Sequence, residues 1–202
     1  MKVTIPENIS DITLEQYQTF VALDEVEGIT DREVDTEKLK IFIGLDDEQI
    51  NSISENDFQD LVKMVDEALN KPSEFQQRFK MNDVEFGFHH NLDRMTTAEY
   101  VDLMTYNSEP ENLHKLMAIL FRPITGKDAL GNYTIATYNG SDKYGEIMKQ
   151  TPLHIVNGAL VFFLNLSKEL RKSILKYSTD QELAKGNKQQ IFGLSGDGMQ
   201  PS

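Results

Sequence analysis

The sequence contains no cysteine, and its longest apolar run, Ala159 to Leu164, is short. Without cysteine, disulfides, zinc ribbons and thiol nucleophiles are excluded, and a reducing interior suits the chain. The apolar run is far below the roughly 20 residues that span a bilayer. The N-terminus, Met1 to Pro6, also lacks the charged segment and apolar core of a signal peptide. We therefore expect a soluble protein that is not exported by a cleavable signal.

Basic residues are scarce in this chain. The 202 residues include 20 Lys and Arg against 33 Asp and Glu, which gives a net charge of −13. Such a field repels phosphate backbones and anionic lipid surfaces, so we expect neither nucleic acid nor membrane among the partners. The acidic charge instead favours a basic partner or serves to keep the protein soluble. The length suits one core or one core with an appended subdomain, and we favour the second.

The sequence also lacks recognisable catalytic motifs. Neither a P-loop nor the Gly-x-Ser-x-Gly setting of a hydrolase nucleophile is present. The pair His89-His90, followed by Asp93, is the best metal candidate, with His114 or His154 as a further ligand. Adjacent histidines on an extended segment point in opposite directions, so we assign no metal and no cofactor. We expect a protein that is not an enzyme.

The most apolar segment that is present is a predicted helix from Pro152 to Tyr177. Thr151 suits the N-cap, and proline is accepted at the first helical position. Ala159 to Leu164 has no polar side, so this part of the helix is expected to be wrapped by its neighbours. From Lys168 onward only one face is apolar, so the second half is expected to lie on a surface.

Several short amphipathic helices are predicted before Pro72. Each follows a residue whose side-chain oxygen can accept a hydrogen bond from the first helical turn. The predicted caps are Thr13, Asp35, Asp46 and Ser54. Gly44 is a natural stop for the second helix because glycine tolerates the left-handed conformation that follows many helices.

A β-hairpin is predicted where the apolar spacing changes from helical to alternating. Val84, Phe86 and Phe88 alternate after a turn at residues 81–83, which predicts strands with one aromatic face. An isolated hairpin is marginal in water, so we expect this face to lie on the helices.

Two helices and a further strand region follow the hairpin. A capping box at Thr96 and Glu99 starts the first helix, and Ser108 to Glu111 starts the second. Their apolar residues are Tyr100, Leu103 and Met104 in the first, and Leu113, Leu116, Met117, Leu120 and Phe121 in the second. Pro123 is expected to end the second helix, and residues 124–139 fit a loop with one strand or a second hairpin.

Together these elements predict a mainly helical α+β protein, with helices around a central apolar helix and one or two small β-hairpins. We expect an N-terminal helical part over residues 1–72 and a hairpin with a helical core over residues 73–178. Residues 179–202 cannot bury enough apolar surface to become ordered, so we expect a flexible C-terminal tail.

The segment from Val84 to Leu103 resembles a pattern found in tailed-phage proteins. In that pattern a strand leads to a loop and then to a helix that starts with Met-Thr-x-x-Glu-Tyr, here residues 95–100. The pattern continues from Asn112 to Ile124 and closes on Arg-Pro-Ile. Similar arrangements occur in tail assembly chaperones of tailed bacteriophages and in related small phage structural proteins. The resemblance covers about residues 84–166.

The resemblance implies a non-enzymatic assembly protein that acts in the cytoplasm of the host cell. A tail assembly chaperone of this kind would bind helical segments of a tape-measure protein through apolar stripes left exposed between its own helices. The acidic surface would keep such a protein soluble. The candidate partner-binding residues are Tyr100, Leu103, Leu113, Met117, Phe121 and, in the tail, Phe192.

Two alternative functions stay open at this point. The protein could be a virion structural component, such as a head, connector or tail protein, that docks on neighbouring subunits through extended termini. It could also be a small enzyme whose pocket the sequence does not reveal. The sequence leaves the oligomeric state open.

Overall fold

The computed structural model describes residues 4–89, 94–107 and 109–165. The fold is mixed α+β and mainly helical with one small antiparallel sheet, which confirms the predicted fold class. The helices are α1 (Leu14–Val21), α2 (Asp31–Ile43), α3 (Asp47–Ser52), α4 (Glu55–Leu69), α5 (Thr97–Tyr106), α6 (Leu113–Leu120), α7 (Asp142–Met148) and α8, which begins at residue 153 and is described to residue 165. The strands are β1 (Arg78–Met81), β2 (Val84–Phe88), β3 (Phe121–Lys127) and β4 (Tyr133–Ile135).

The chain divides into two compact units, Met1–Ala159 and Leu160–Ser202. The first unit contains helices α1 to α7 and the whole sheet, and the boundary predicted near Pro72 falls inside it. Only residues 160–165 of the second unit are described. The predicted second half of α8, the predicted tail over residues 179–202 and Phe192 therefore lie outside the described residues.

Side-chain caps start the first helices at most of the predicted positions. The Thr13 hydroxyl accepts a hydrogen bond from the Gln16 N–H at 3.2 Å, and the Gln16 carbonyl oxygen accepts from the Thr13 N–H at 3.0 Å. Asp46 caps α3 with the same reciprocal pair of bonds to Gln49, and the Ser54 hydroxyl caps α4 by accepting from the Asp57 N–H at 3.2 Å. These bonds satisfy N–H groups that would otherwise have no partner in the first helical turn.

The predicted cap of α2 is wrong. The helix begins after Thr30, whose hydroxyl accepts from the Glu33 N–H at 3.3 Å while the Glu33 carboxylate accepts from the Thr30 N–H at 2.8 Å. Asp35 lies inside the helix and pairs with Lys38 at 3.1 Å. The predicted stop at Gly44 is confirmed, since Gly44 follows α2 with a positive φ of 79°.

Two hairpins form the sheet, which has the order β1-β2-β3-β4 with every neighbouring pair antiparallel. The first hairpin is the predicted one. Its turn consists of Asn82 and Asp83, which both have positive φ, as a two-residue turn that matches the strand twist requires. Of the two alternatives for residues 124–139, the second hairpin is the one present, because β3 and β4 pair across residues 128–132.

Helix α6 ends three residues before Pro123 and passes directly into β3. Pro123 is the third residue of that strand, opposite Phe86 of β2, so the expectation that this proline itself stops the helix is wrong. The Pro123 carbonyl accepts from the Ala136 N–H at 2.8 Å, but proline has no N–H to return to Ala136. Strand β4 ends at Ile135, where this missing donor interrupts the ladder.

The junction of α6 and β3 lies at the centre of the core. Residues 116–121 are all buried, and Arg122 follows them with 4% of its surface exposed. The Phe121 ring packs edge-on against Phe79 and Phe88, at 5.1 Å and 5.2 Å between ring centres. Phe86 stacks on Phe79 at 5.4 Å. The aromatic face predicted for the first hairpin thus contributes directly to the core.

Helix α8 is buried on one side over the residues that looked most apolar. Ala159 and Phe163 are buried, whereas Val161, Phe162 and Leu164 keep 57%, 36% and 49% of their surface exposed. The expectation that neighbours surround this segment on every side is therefore wrong. Apolar composition alone does not require burial of every side chain, since much of a folded protein's surface is apolar.

Gly158 of α8 gives a testable prediction about packing. A Cβ built on Gly158 would lie 2.8 Å from the carbonyl carbon of Glu74 and 3.1 Å from the Cα of Phe75. Because main-chain atoms cannot rotate away, Gly158→Ala should lower the free energy of unfolding by about 1–3 kcal/mol despite the better helix propensity of alanine. Urea denaturation followed by circular dichroism measures this change.

The matched control is Gly145→Ala in α7. A Cβ at Gly145 meets its nearest atom, in the His114 ring, at an ordinary 3.4 Å. This substitution should leave stability unchanged or raise it by up to about 1 kcal/mol through helix propensity. Equal effects at the two glycines would show that the close approach at Gly158 does not limit packing.

Candidate protein-binding face

Helix α5 begins with a complete capping box. The Thr96 hydroxyl accepts from the Glu99 N–H at 3.2 Å, and a Glu99 carboxylate oxygen accepts from the Thr96 N–H at 2.5 Å. This confirms the predicted start of the helix. The box also turns the Glu99 side chain back toward the helix start, where only 3% of its surface is exposed.

The exposed side of α5 carries no charged residue. We call this surface the α5 outer face, and its members are Thr97, Ala98, Tyr100, Val101, Met104 and Thr105. Tyr100, Val101 and Met104 expose 56%, 54% and 46% of their surface. The two acidic residues of the helix lie elsewhere, with Glu99 buried and Asp102 half-buried. For these residues the usual relation, with apolar residues inward and charges outward, is reversed, whereas Leu103 is buried as usual.

An ion pair with Arg122 of β3 fixes Glu99 in the interior. The Arg122 Nη2 lies 2.7 Å from a Glu99 carboxylate oxygen, and their side chains are 5% and 3% exposed. Burial by itself raises the pKa of Glu99, but hydrogen bonds from Thr96 and the positive charge of Arg122 outweigh it and lower the pKa. Burial lowers the pKa of Arg122, and Glu99 partly offsets this effect. Glu99 is thus ionised at neutral pH.

A second polar contact holds Asp102 against the loop that follows β4. The Tyr138 O–H donates a hydrogen bond to an Asp102 carboxylate oxygen at 2.5 Å. Burial, and then this bond to Asp102, raise the pKa of Tyr138, so the phenol keeps its proton at neutral pH. The guanidinium of Arg122 lies 5.8 Å from the centre of the Tyr138 ring. Glu99, Arg122, Tyr138 and Asp102 form what we call the α5 clamp.

The six candidate residues named from the sequence lie in different places. Tyr100 lies on the α5 outer face, Leu103 is buried on the opposite side of the helix, and Leu113 is half-buried. Met117 and Phe121 belong to the core and are fully buried. Phe192 lies outside the described residues. In this conformation a partner can therefore contact Tyr100, whereas burial keeps it from reaching Leu103, Met117 and Phe121.

Val101 and Met104 are exposed residues that are not among the candidate partner-binding residues named from the sequence. The helical spacing alone allows two rotations of α5, since one puts Tyr100 and Met104 inward and the other puts Glu99 and Leu103 inward. Two features of the sequence bear on the choice between these rotations. They are the capping box at the start of α5 and the single basic residue, Arg122, within an apolar segment. Together they could have indicated a buried ion pair.

Two adjoining cavities of about 260 and 300 Å³ lie beside α1. Their linings share Gln18 and Glu111. The Gln18 amide donates hydrogen bonds to the carbonyl oxygens of Pro110 and Glu111 at 2.8 Å and 2.6 Å. His114 lines one cavity, and burial lowers its pKa. These hydrogen bonds connect α1 to the segment that precedes α6.

Neither a metal site nor a membrane span is found in the described part of the chain. Within residues 4–89, 94–107 and 109–165, no three His, Asp or Glu side chains come together in a group that could hold a metal ion. Of the predicted histidine candidates, His90 and Asp93 lie outside these ranges. No helix in the same ranges is long and apolar enough to cross a membrane.

Comparison of the chain with protein-family models, with curated proteins and with solved structures gives no match.

The Glu99–Arg122 pair predicts a specific pH dependence of stability. A lowered carboxylate pKa contributes stability above the unfolded value of roughly 4.3, and this contribution is lost as the pH falls through the folded value. Glu99→Gln removes the charge and leaves Arg122 buried without a counter-ion, so it should lower the free energy of unfolding at pH 7 by about 3 kcal/mol. Urea denaturation at a series of pH values measures the difference.

The difference between wild type and Glu99→Gln should shrink once the pH is below roughly 4. Glu48→Gln on the exposed face of α3 is the matched control and should leave stability unchanged at each pH. A difference that stays constant down to acidic pH would contradict the ion-pair account.

Proposed function

We propose that this protein is a non-enzymatic assembly protein that binds an amphipathic helix of a partner through the α5 outer face. The observation that carries this proposal is the reversed polarity of α5. Its acidic residues are held inward by the α5 clamp, while Tyr100, Val101 and Met104 are presented to solvent. A partner helix would remove these side chains from water and leave the clamp intact.

The chemistry of the α5 outer face suits a helical partner. Residues at positions i, i+1 and i+4 form a continuous apolar strip along one side of a helix, which a second helix can cover with its own apolar stripe. Tyr100 can bury its ring while its hydroxyl stays in contact with water. The flexible Met104 side chain adapts to different apolar surfaces. The absence of charge on the strip avoids the desolvation of unpaired ions at the contact.

A phage tape-measure protein is the partner that the sequence resemblance suggests. The resembling segment, about residues 84–166, contains α5 and the Arg122 that orients it. A tail assembly chaperone would cover apolar helical segments of the tape-measure protein in the host cytoplasm until the tail tube forms around them. The net charge of −13 would keep a protein with an exposed apolar strip in solution and away from DNA.

The alternative function is a virion structural component that docks through extended termini. At the N-terminal end, Pro6 and Ile9 are buried and the Lys71 ammonium donates to the carbonyl of Glu7 at 2.5 Å. This part of the arm is therefore packed within the first unit. A packed N-terminal segment is less suited to docking on a neighbouring subunit than a free one.

The proposal predicts that charges on α5 weaken partner binding. Val101→Asp and Met104→Asp place a charge in the centre of the contact, and loss of a central anchor costs about 2 kcal/mol, or about 30-fold in affinity. The measurement is affinity capture from phage-infected cells, with the tape-measure protein of the same phage quantified by peptide mass spectrometry. Both residues are exposed, so the variants should fold normally.

Met64→Asp on α4 is the matched control, because Met64 is 45% exposed on a helix outside the proposed contact. It should capture as much tape-measure protein as the wild type. Equal capture by all variants would reject the α5 outer face. The same peptides measured in purified particles test the alternative, since a fixed stoichiometry in particles would identify a virion component.

A further inference from the structure

Both hairpin turns of the sheet lie at the same end. Strand β2 begins after the turn at residues 82–83, and β3 ends before the turn at residues 128–132. Because β2 and β3 are antiparallel, the start of β2 is next to the end of β3. The cross-strand bond of 2.5 Å between the Lys127 ammonium and the Glu85 carboxylate joins the two hairpins at this end. We call this surface the hairpin end.

The turn between β3 and β4 presents Leu130 on a fixed backbone. The Asp128 carboxylate accepts from the N–H groups of Leu130 and Asn132, both at 2.9 Å, and from the Asn132 side chain at 2.7 Å. Gly131 adopts a positive φ of 85°. The Leu130 side chain is 89% exposed and takes no part in these bonds. The hydrogen bonds of this turn do not depend on the side chain at position 130. The turn nevertheless carries a leucine there, and that leucine is exposed to solvent.

Val84 adds a second apolar group at the hairpin end. It follows the two-residue turn of Asn82 and Asp83 and is 41% exposed. Its strand neighbours Phe86 and Phe88 are buried, so Val84 is the point where the aromatic face of β2 emerges from the core. Rigid presentation lowers the entropy lost when such groups are covered.

The charge at the hairpin end distinguishes it from the chain as a whole. Five charged residues lie at the hairpin end, two basic and three acidic: Lys80, Lys127, Asp83, Glu85 and Asp128. The chain as a whole has a net charge of −13, so two copies repel each other. The hairpin end is nearly neutral by comparison, so two copies can approach there with little repulsion.

We propose that the hairpin end binds a second copy of this chain and forms a symmetric dimer centred on Leu130. A symmetric contact needs a surface that is complementary to itself. The hairpin end meets this condition, because an apolar centre is bordered by charges of both signs, such as the loose pair of Lys80 and Asp83 at 3.4 Å. The Lys80 ammonium of one copy can face the Asp83 carboxylate of the other. The α5 outer face stays free for a different partner.

The test is sedimentation velocity of the full chain over concentrations from micromolar to hundreds of micromolar. The wild type should show a reversible equilibrium between monomer and dimer. Leu130→Asp places two like charges at the centre of the contact and should raise the dimer dissociation constant by at least about tenfold. Leu130→Ser, which suits a turn and adds no charge, should raise it by a smaller factor. Far-UV circular dichroism checks that both variants fold.

Two controls separate the hairpin end from other surfaces. Val26→Asp adds the same charge at another exposed apolar residue, 50% exposed, and should leave the dimer intact. Met104→Asp on the α5 outer face should also leave it intact, so failure of the dimer and failure of partner binding are distinguishable. A wild type that stays monomeric at hundreds of micromolar would overturn the proposal. An oligomer insensitive to Leu130→Asp, or equally sensitive to Val26→Asp, would overturn it as well.

Discussion

The buried ion pair between Glu99 and Arg122 decides which side of α5 faces the protein interior. Placing two charges in the core has a desolvation cost that their attraction only partly repays, so such a pair is a weak source of stability. It is a strong source of orientation, because either charge left alone in the core would be far more costly. The hydrogen bond between Tyr138 and Asp102 also holds the acidic side of α5 toward the interior. The exposure of Tyr100, Val101 and Met104 is the consequence.

The direct passage from α6 to β3 places Arg122 where the ion pair needs it. Successive residues of a strand point to opposite faces of the sheet. Phe121 therefore enters the aromatic cluster with Phe79 and Phe88, while Arg122 points to the other face and meets Glu99. Both faces of β3 are covered at this point. The same few residues thus connect the core, the sheet and the orientation of α5.

Two apolar surfaces result from this architecture, and neither carries the large acidic excess of the chain. The α5 outer face has no charged residue, and the hairpin end has two basic and three acidic residues. They belong to different elements, so the two proposed contacts would not compete for the same residues. An acidic protein that carries two such surfaces can remain soluble while it binds selectively.

The sequence by itself determined the features that depend on neighbouring residues. Caps at Thr13, Thr96 and Ser54, the turn after Met81 and the mainly helical α+β class all follow from local hydrogen bonding and apolar spacing. The rotation of α5 could not be predicted in this way, because the partner of Glu99 lies 23 positions away in β3. Local chemistry determined the elements, and only the tertiary structure decided which of their faces meet water.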